Sequence, residues 1–435
     1  MKKLKVALLG CGNVGSQVAR ILLEDADELA SRTGARLVLK GIAVRDTTAV
    51  RDVELPPELF TTDAGALIEG ADVVIELMGG QEPAGTLIRQ AIAGGAAVVS
   101  GNKALLARQL PELSALADTA GVQLSYEAAV AGAIPILRPI RDSLSGDRVT
   151  KVMGIVNGTT NFILDAMDST GAQFADALAE AQALGYAEAD PTADVEGHDA
   201  AAKAAILATL SFHTEFDLAD VYCEGITKVT AEDVAAAKDA GMVIKLLAIA
   251  ERIKGADGDD GIAVRVHPTL LSRAHPLAAV HGAFNAVFVE AENAGQLMFY
   301  GQGAGGKPTA SAILGDVVSA ARRTVAGGRG RTETTTGSLR ALPIDEISTS
   351  YSIGLEVSDE TGVLASIAGI FAEHGVSIET MHQTTHPVAA GEAGSATLRF
   401  VTHVGRESAL AATVADVGRL PVVHSITSVL RVEGN

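Results

Sequence analysis

Between Gly185 and Lys203 the chain reads GYAEADPTADVEGHDAAAK, and the carboxylates of Glu188, Asp190, Asp194, Glu196 and Asp199 fall close together. They would repel one another unless a cation or a positively charged substrate sits among them; the plainer alternative is a solvated acidic loop in which Asp199 favours a helix start. The spacing argues against that alternative. Asp199 and Lys203 are four residues apart, hence on one face of a helix that is otherwise Ala-rich and apolar, and a lysine on a face that should be buried needs a purpose. His198 beside them reads as structural.

A second constellation opens the chain. GCGNVG places Gly10, Gly12 and Gly15, with Asn13 and Val14 between them, after an apolar strand and at the start of an amphipathic helix. Glycines there allow a tight turn and close approach of backbone to a pyrophosphate, which the helix N-terminus attracts through its N–H groups. Arg45 ends the second strand, where an NAD enzyme commonly carries an acid for the ribose 2′-hydroxyl. Its guanidinium offers a partner for a 2′-phosphate and favours NADP, while Asp46 keeps NAD open. In an open parallel sheet the site lies beyond the carboxyl ends of the strands, which singles out Met78-Gly79-Gly80, Asn102-Lys103 and Glu127. A later run, Gly301 to Gly306, with Gly305 just before Lys307-Pro308, is either a phosphate-facing or cofactor-covering loop or a hinge.

These residues need elements to hold them. Val6–Leu9, Leu37–Val44, Asp72–Leu77, Ala96–Ser100 and Val122–Tyr126 read as buried strands alternating with helical periodicity, the pattern of a doubly wound parallel sheet. From about residue 127 the pattern becomes α+β, with helices over Thr159–Ser169, Phe174–Leu184 and His198–His213 and strands at Val149–Val156 and Ile262–Val266. Residues 327–350, rich in Gly and Thr, read as a linker. Beyond it, strands at Tyr351–Val357, Val376–Gln383, Ala396–His403 and Val422–Val432 and helices at Gly362–Glu373 and Arg406–Val417 give βαββαβ, a ferredoxin-like unit.

A chain of 435 residues suggests two or three domains, and 48% hydrophobic with 20% charged residues supplies a core. The net charge of −19, with no basic cluster and no Trp, argues against nucleic acid. Cys11 and Cys223 are too few for a disulfide framework and are not spaced as a metal site. The start runs straight into a strand, and no apolar run would span a bilayer, so a cytoplasmic protein without a membrane segment is expected.

Taken together, the chain resembles homoserine dehydrogenases of the long bacterial type. GCGNVG, DVVIELMGG with EPA, NKALLA, YEAAVAGAIPILRPIRDSL, GIVNGTTNFIL, LGYAEADPTADVEGHDAAAK and YGQGAGGKPTASAILGD occur in the family's order. The last unit, with Asp359 and Gly362 after its first strand, looks like an ACT domain. The resemblance implies a Rossmann-type NAD(P)-binding domain over 1–126 extended by part of 305–326, a substrate-binding and dimerisation domain over 127–326, and a regulatory ACT domain over 351–435. It implies NAD(P)-dependent interconversion of L-homoserine and L-aspartate 4-semialdehyde in threonine, methionine and isoleucine biosynthesis, by a homo-oligomer, a dimer or tetramer, with threonine as effector. Lys203 is then the proton donor, with Lys103 near the reacting carbonyl. Gly185, Glu188, Asp194 and Asp199 belong to the substrate site, Asp194 helping to hold the amine. Glu127, through its carboxylate, and Val130, Gly132 and Ile134, through carbonyls, match a sodium site. Ala133 stands where many relatives have Gly. The chemistry agrees, since hydride reduction of an aldehyde creates an alkoxide that a nearby ammonium stabilises and protonates.

Overall fold

The computed structural model describes residues 1–328, 335, 337–386 and 394–434. The chain divides into two compact units, the first comprising residues 1–158, 199–221 and 283–338, the second 159–198, 222–282 and 339–435. Residues 127–326 contribute to both.

The first unit is built on a six-stranded sheet of β1 (Lys2–Leu9), β2 (Ala35–Ala43), β3 (Phe60–Thr61), β4 (Val73–Glu76), β5 (Ala97–Ser100) and β6 (Leu124–Ser125). All neighbours are parallel and the order is β3-β2-β1-β4-β5-β6. The order reverses between β1 and β4, so the crevice at their carboxyl ends is the place where such sheets bind ligands. The five expected strands are all present; β3 is an additional one, too short to leave a periodic signal. Val6, Leu8, Val73, Ile75 and Val99 are fully buried, because helices pack over the centre of the sheet, whereas β2 keeps Arg36, Val38 and Lys40 exposed. The Gly306–Ala326 helix inserts Ile313, Val317 and Ala321 into this same core. The unit also carries three antiparallel strands, with Phe284–Ala291 paired to both Gly295–Gln302 and Val149–Ile155.

In the second unit Met242–Lys254 and Asp260–Ser272 form a long antiparallel hairpin, of which sequence analysis found only the Ile262–Val266 stretch. MVIKLLAIAERIK is nearly continuous in apolar residues, and such a run carries no strand period to distinguish it from a buried helix. The last strand, Val423–Glu433, adds to the hairpin in parallel through Thr269–Leu271, and then come Ser348–Ser358, Ser395–Thr402 and Ile378–Thr385. With helices Val363–Glu373 and Glu407–Val417 this is the expected βαββαβ unit, closed over Ile353, Leu355, Ile367, Phe371, Leu398, Phe400 and Leu410. Its first strand begins at Ser348, inside the stretch read as a linker. There Thr349 and Ser350 are buried, and Ser350 pairs with Val432. Within the same stretch Arg340–Ala341 pair with the hairpin, while residues 329–334 and 336 lie outside the described residues. No helix among the described residues is long and apolar enough to cross a membrane.

Candidate active site

β1 ends at Leu9, and Gly10 turns the chain with φ +95° while its N–H donates to the Ala43 carbonyl at 2.9 Å. A methyl group on Gly10 would fall 2.5 Å from the Leu77 carbonyl oxygen, and one on Gly15 would fall 2.3 Å from the Gly10 carbonyl oxygen. Neither position tolerates a side chain. Gly12 differs, since nothing lies within 4 Å of where its methyl group would point. It caps the Asn13–Glu24 helix without a side-chain hydrogen bond, and the first turn holds no acid. The leading N–H groups, the partial positive charge and the open space at Gly12 therefore fit a dinucleotide pyrophosphate.

Arg45 is exposed just past β2. Sequence analysis missed Arg51, which folds back so that its guanidinium lies 4.3 Å from the Phe60 ring centre and donates to the Asp46 carbonyl at 2.9 Å. It also touches Cys11 in the glycine turn, whose thiol burial pushes up while Arg51 opposes the shift. Nothing in a loop arginine eight residues past a strand end announces such a contact.

The ends of β4 and β5 are organised by another residue that sequence analysis missed, Glu76. Fully buried, it accepts from the Met78 N–H at 2.8 Å and from the Ser100 hydroxyl at 2.7 Å. Asn102 donates to the Gly80 carbonyl at 2.7 Å and caps the next helix by accepting from the Leu105 N–H at 3.2 Å. Gly79 and Gly80, both at φ +73°, let the Met78 loop make its turn. This fixes the start of the Lys103–Ala120 helix, and Lys103 is its first residue.

Lys103 and Lys203 meet on one carboxylate. The Lys103 ammonium pairs with Asp199 Oδ1, and the Lys203 ammonium donates to Asp199 Oδ2 at 2.6 Å and to the Val156 carbonyl at 2.6 Å. Asn157 donates to the same Oδ2 at 2.9 Å. Asp199 and Lys203 are buried, whereas the Lys103 side chain is 47% exposed. Burial alone would raise the Asp199 carboxyl, but the two ammonium groups overcome it and hold the group well below the usual carboxylate range. The buried lysine face of the His198–Phe212 helix thus has its partner, and a positively charged pair is held at the sheet edge.

Glu127 also lies at that edge, but its carboxylate is spent. It accepts from the Leu137 N–H at 2.8 Å, the Arg138 N–H at 2.9 Å and the Arg138 guanidinium at 3.0 Å. Its own N–H donates to Asp316, whose carboxyl burial pushes up to about 6. The expectation that the Glu127 carboxylate ligates sodium does not fit this donor set, because a guanidinium already neutralises it. Val130 and Ile134 flank Gly132, which has φ +58° and sits so tightly that a methyl group there would fall 2.2 Å from the Gly303 carbonyl oxygen. No grouping of three His, Cys, Asp or Glu suited to a metal occurs among the described residues.

The Gly301–Gly306 loop comes against the dinucleotide turn. A methyl group on Gly306 would fall 2.4 Å from the Asn13 side-chain oxygen, and Gly305, at φ +126°, caps the following helix. Gly185, Glu188 and Asp194 belong to the second unit. Gly185 has φ +76°, Glu188 is exposed and accepts from Gln182 only through its backbone, and Asp194 lies in the short Thr192–Val195 helix. The acidic stretch is therefore not one cluster. Asp190 caps Thr192, Glu196 accepts from Thr227, and Asp199 is held by lysines.

A parallel sheet reversing at a glycine turn, with paired lysines beyond its strand ends, in a chain that also carries a βαββαβ unit, defines a dinucleotide-dependent oxidoreductase. The family model for the homoserine dehydrogenase NAD-binding domain matches residues 10–127, that for homoserine dehydrogenase residues 135–318, and that for the ACT domain residues 351–422. The homoserine dehydrogenase of Corynebacterium glutamicum is 54% identical over 98% of this chain and 95% of its own length. The crystal structure of the Thiobacillus denitrificans homoserine dehydrogenase superposes with a TM-score of 0.90 at 38% identity, covering 100% of this chain and 99% of that one. A hyperthermophilic archaeal homoserine dehydrogenase in complex with NADPH gives a TM-score of 0.61 at 27% identity over 76% of this chain and 100% of its own. The chain belongs to the homoserine dehydrogenase family.

Proposed function

We propose that this oxidoreductase interconverts L-homoserine and L-aspartate 4-semialdehyde with NADP as the preferred cofactor, and that Lys203 is its proton donor and acceptor. The observation that carries the assignment is the Lys103–Asp199–Lys203 arrangement beyond the strand ends. The bound nicotinamide supplies or takes the hydride at the substrate carbon. As an aldehyde becomes an alkoxide, the negative charge forming on oxygen is stabilised by the two ammonium groups, and a proton passes from Lys203 Nζ to that oxygen. Asp199 aims both ammonium groups, and the Val156 carbonyl and Asn157 complete the positioning. In the oxidative direction Lys203 takes the hydroxyl proton as the neutral amine, its own proton having first been released to solvent. Gly185, Glu188, Asp194 and Asp199 are our candidates for the substrate site, with Asp194 on the amine. Gly10, Gly12, Asn13, Val14, Gly15, Arg45, Met78, Gly79, Lys103 and Gly305 are those for the cofactor.

Three further readings go with this one. Threonine acts as effector through the ACT domain. The enzyme works as a homo-oligomer in the cytoplasm, where its two free cysteines stay reduced. A sodium ion at the Glu127 loop would have to rest on the carbonyls of Val130, Gly132 and Ile134. The test is initial rates from the absorbance of the reduced nicotinamide with homoserine and NADP or NAD, with and without threonine and sodium, for the wild type and Lys203→Ala. Cofactor binding without turnover would point instead to a non-catalytic sensor.

A further inference from the structure

The ends of β4 and β5 carry a charge that the proton transfer does not use. Glu76 closes β4 and is fully buried. Its Oε1 accepts from the Met78 N–H at 2.8 Å, with the Asn102 side-chain nitrogen 3.5 Å away, and its Oε2 accepts from the Ser100 hydroxyl at 2.7 Å. That hydroxyl proton is committed to Glu76, because the Ser100 oxygen itself accepts from the Asn102 N–H at 3.1 Å. Both carboxyl oxygens therefore face donors, the arrangement that suits the ionised group, which only accepts. Every donor is uncharged, so the hydrogen bonds satisfy the carboxylate without cancelling its charge.

Glu76 lies between the two ends of the site. On one side is the glycine turn: the Leu77 N–H donates to the Leu9 carbonyl at 2.7 Å, and a methyl group on Gly10 would fall 3.0 Å from the Met78 nitrogen whose proton Glu76 accepts. On the other side Asn102 leads into Lys103, which shares Asp199 with Lys203. A dinucleotide with its pyrophosphate at Gly12 and its hydride carbon against a carbonyl held by the lysines must lay its nicotinamide across the ends of β4 and β5. Glu76 is too deep to touch a ligand there. What reaches the ring is its field, together with the placing of the Met78 N–H.

The oxidised nicotinamide ring is a cation and the reduced ring is neutral. Two ammonium groups against the single carboxylate of Asp199 leave one positive charge in excess beside the reacting carbonyl, which by itself favours the neutral, reduced ring. The charge of Glu76 offsets that excess. Held at a water-excluded strand end by donors already in place, it acts more strongly than the same charge would in water. A unit charge acting on another through protein interior at this range is worth about tenfold in a binding constant.

We propose that Glu76 is a positioning residue whose buried charge balances the lysine pair and so sets the relative affinity of the site for oxidised and reduced nicotinamide. The proposal rests on the reading that the cofactor lies beyond these strand ends and adds what discriminates its two redox forms. The test is calorimetric titration of the full chain, without substrate, by NADP⁺ and NADPH and by NAD⁺ and NADH, for the wild type, Glu76→Gln and Ser100→Ala. Glu76→Gln removes the charge at constant size, whereas Ser100→Ala breaks the same network and keeps the charge. We expect Glu76→Gln to weaken the oxidised forms about tenfold relative to the reduced ones, alike in both pairs because the ring and not the ribose is read. Ser100→Ala should change both redox forms by one common factor. Glu76→Met, apolar and of similar volume, gives the same comparison if the amide, set against two donors, does not fold. Because the ratio is read within each pair, it does not depend on which dinucleotide is preferred. If Glu76→Gln weakens oxidised and reduced forms equally, Glu76 only staples the strand ends and the proposal is wrong. It is equally wrong if Ser100→Ala shifts the ratio as far as Glu76→Gln does. If the wild type binds none of the four dinucleotides, the cofactor reading fails with it.

Discussion

In a Lys203→Met enzyme the side-chain volume stays in place while the ammonium that contacts Asp199 Oδ2 at 2.6 Å and the Val156 carbonyl at 2.6 Å is gone. A positioned general acid contributes about 10²- to 10⁴-fold. At roughly 1.4 kcal/mol per tenfold, kcat should fall by about 3 to 5 kcal/mol in barrier terms. The fold should survive. Stripping a buried charge of its only partner costs about 3–5 kcal/mol, but Asp199 keeps Lys103 and Asn157, so the loss should be nearer 1–2 kcal/mol. The same change has a signature in acid. The Asp199 carboxyl is held below its ordinary value of 3.8 against the pull of burial, so it contributes stability that is present above 3.8 and is lost as pH falls toward the folded value. Without Lys203 the contribution is smaller and is exhausted at higher pH, so the acid-unfolding midpoint should move up. Initial rates at saturating homoserine and NADP, read beside an acid titration of circular dichroism, check both. A kcat within about threefold of wild type refutes the assignment of Lys203 as proton donor.

The glycine turn separates two effects that are usually confounded. Gly15→Ala, whose methyl group would fall 2.3 Å from the Gly10 carbonyl oxygen, should lower the melting temperature and weaken NADPH binding together. Gly12→Ala meets nothing within 4 Å, so it should leave the melt unchanged and raise only the cofactor KM. Arg45→Asp should reduce the preference for NADP over NAD by about 10- to 100-fold in kcat/KM, the worth of a charge-assisted phosphate contact. Asp316 reverses the sign seen at Asp199: its carboxyl is raised from 3.8 to about 6, chiefly by burial, so its contribution is complete below 3.8 and lost as pH rises through 6. Asp316→Asn should flatten the decline in urea stability between pH 4 and pH 7, and an unaltered slope would count against that burial effect.

Which parts of the site were legible in the sequence follows from the range of the interaction involved. The glycine turn was readable because its constraint is local, strand and helix meeting within six residues. The Asp199–Lys203 contact was readable because helical spacing alone puts both on one face. Lys103 could be placed only at the sheet edge, since its meeting with Asp199 spans 96 residues of chain. Glu76 was invisible for a related reason. A buried acid at the end of an apolar strand looks like a strand boundary until Ser100 and the Met78 N–H are brought to it. Glu127 shows the converse case. Its position was found, but its partners were not, because Arg138 and two backbone N–H groups reach it only when residues ten and eleven positions on fold back to it.

The same contrast explains why two carboxylates at one sheet edge do different work. Asp199 faces two compact ammonium groups, one buried and one 47% exposed, each on a single-point side chain that can turn toward a reacting oxygen. Glu127 faces two backbone N–H groups and a guanidinium that stays protonated at any working pH, so it serves to hold the Leu137–Arg138 backbone. Exchanging the partners should therefore exchange the roles. Lys103→Arg replaces a compact, mobile ammonium by a planar fork that competes with Lys203 for Asp199, and it should lower kcat with the melting temperature held or raised. If instead Lys103→Arg retained wild-type kcat, the mobility of the ammonium would not matter, and Lys103 would be acting through charge alone.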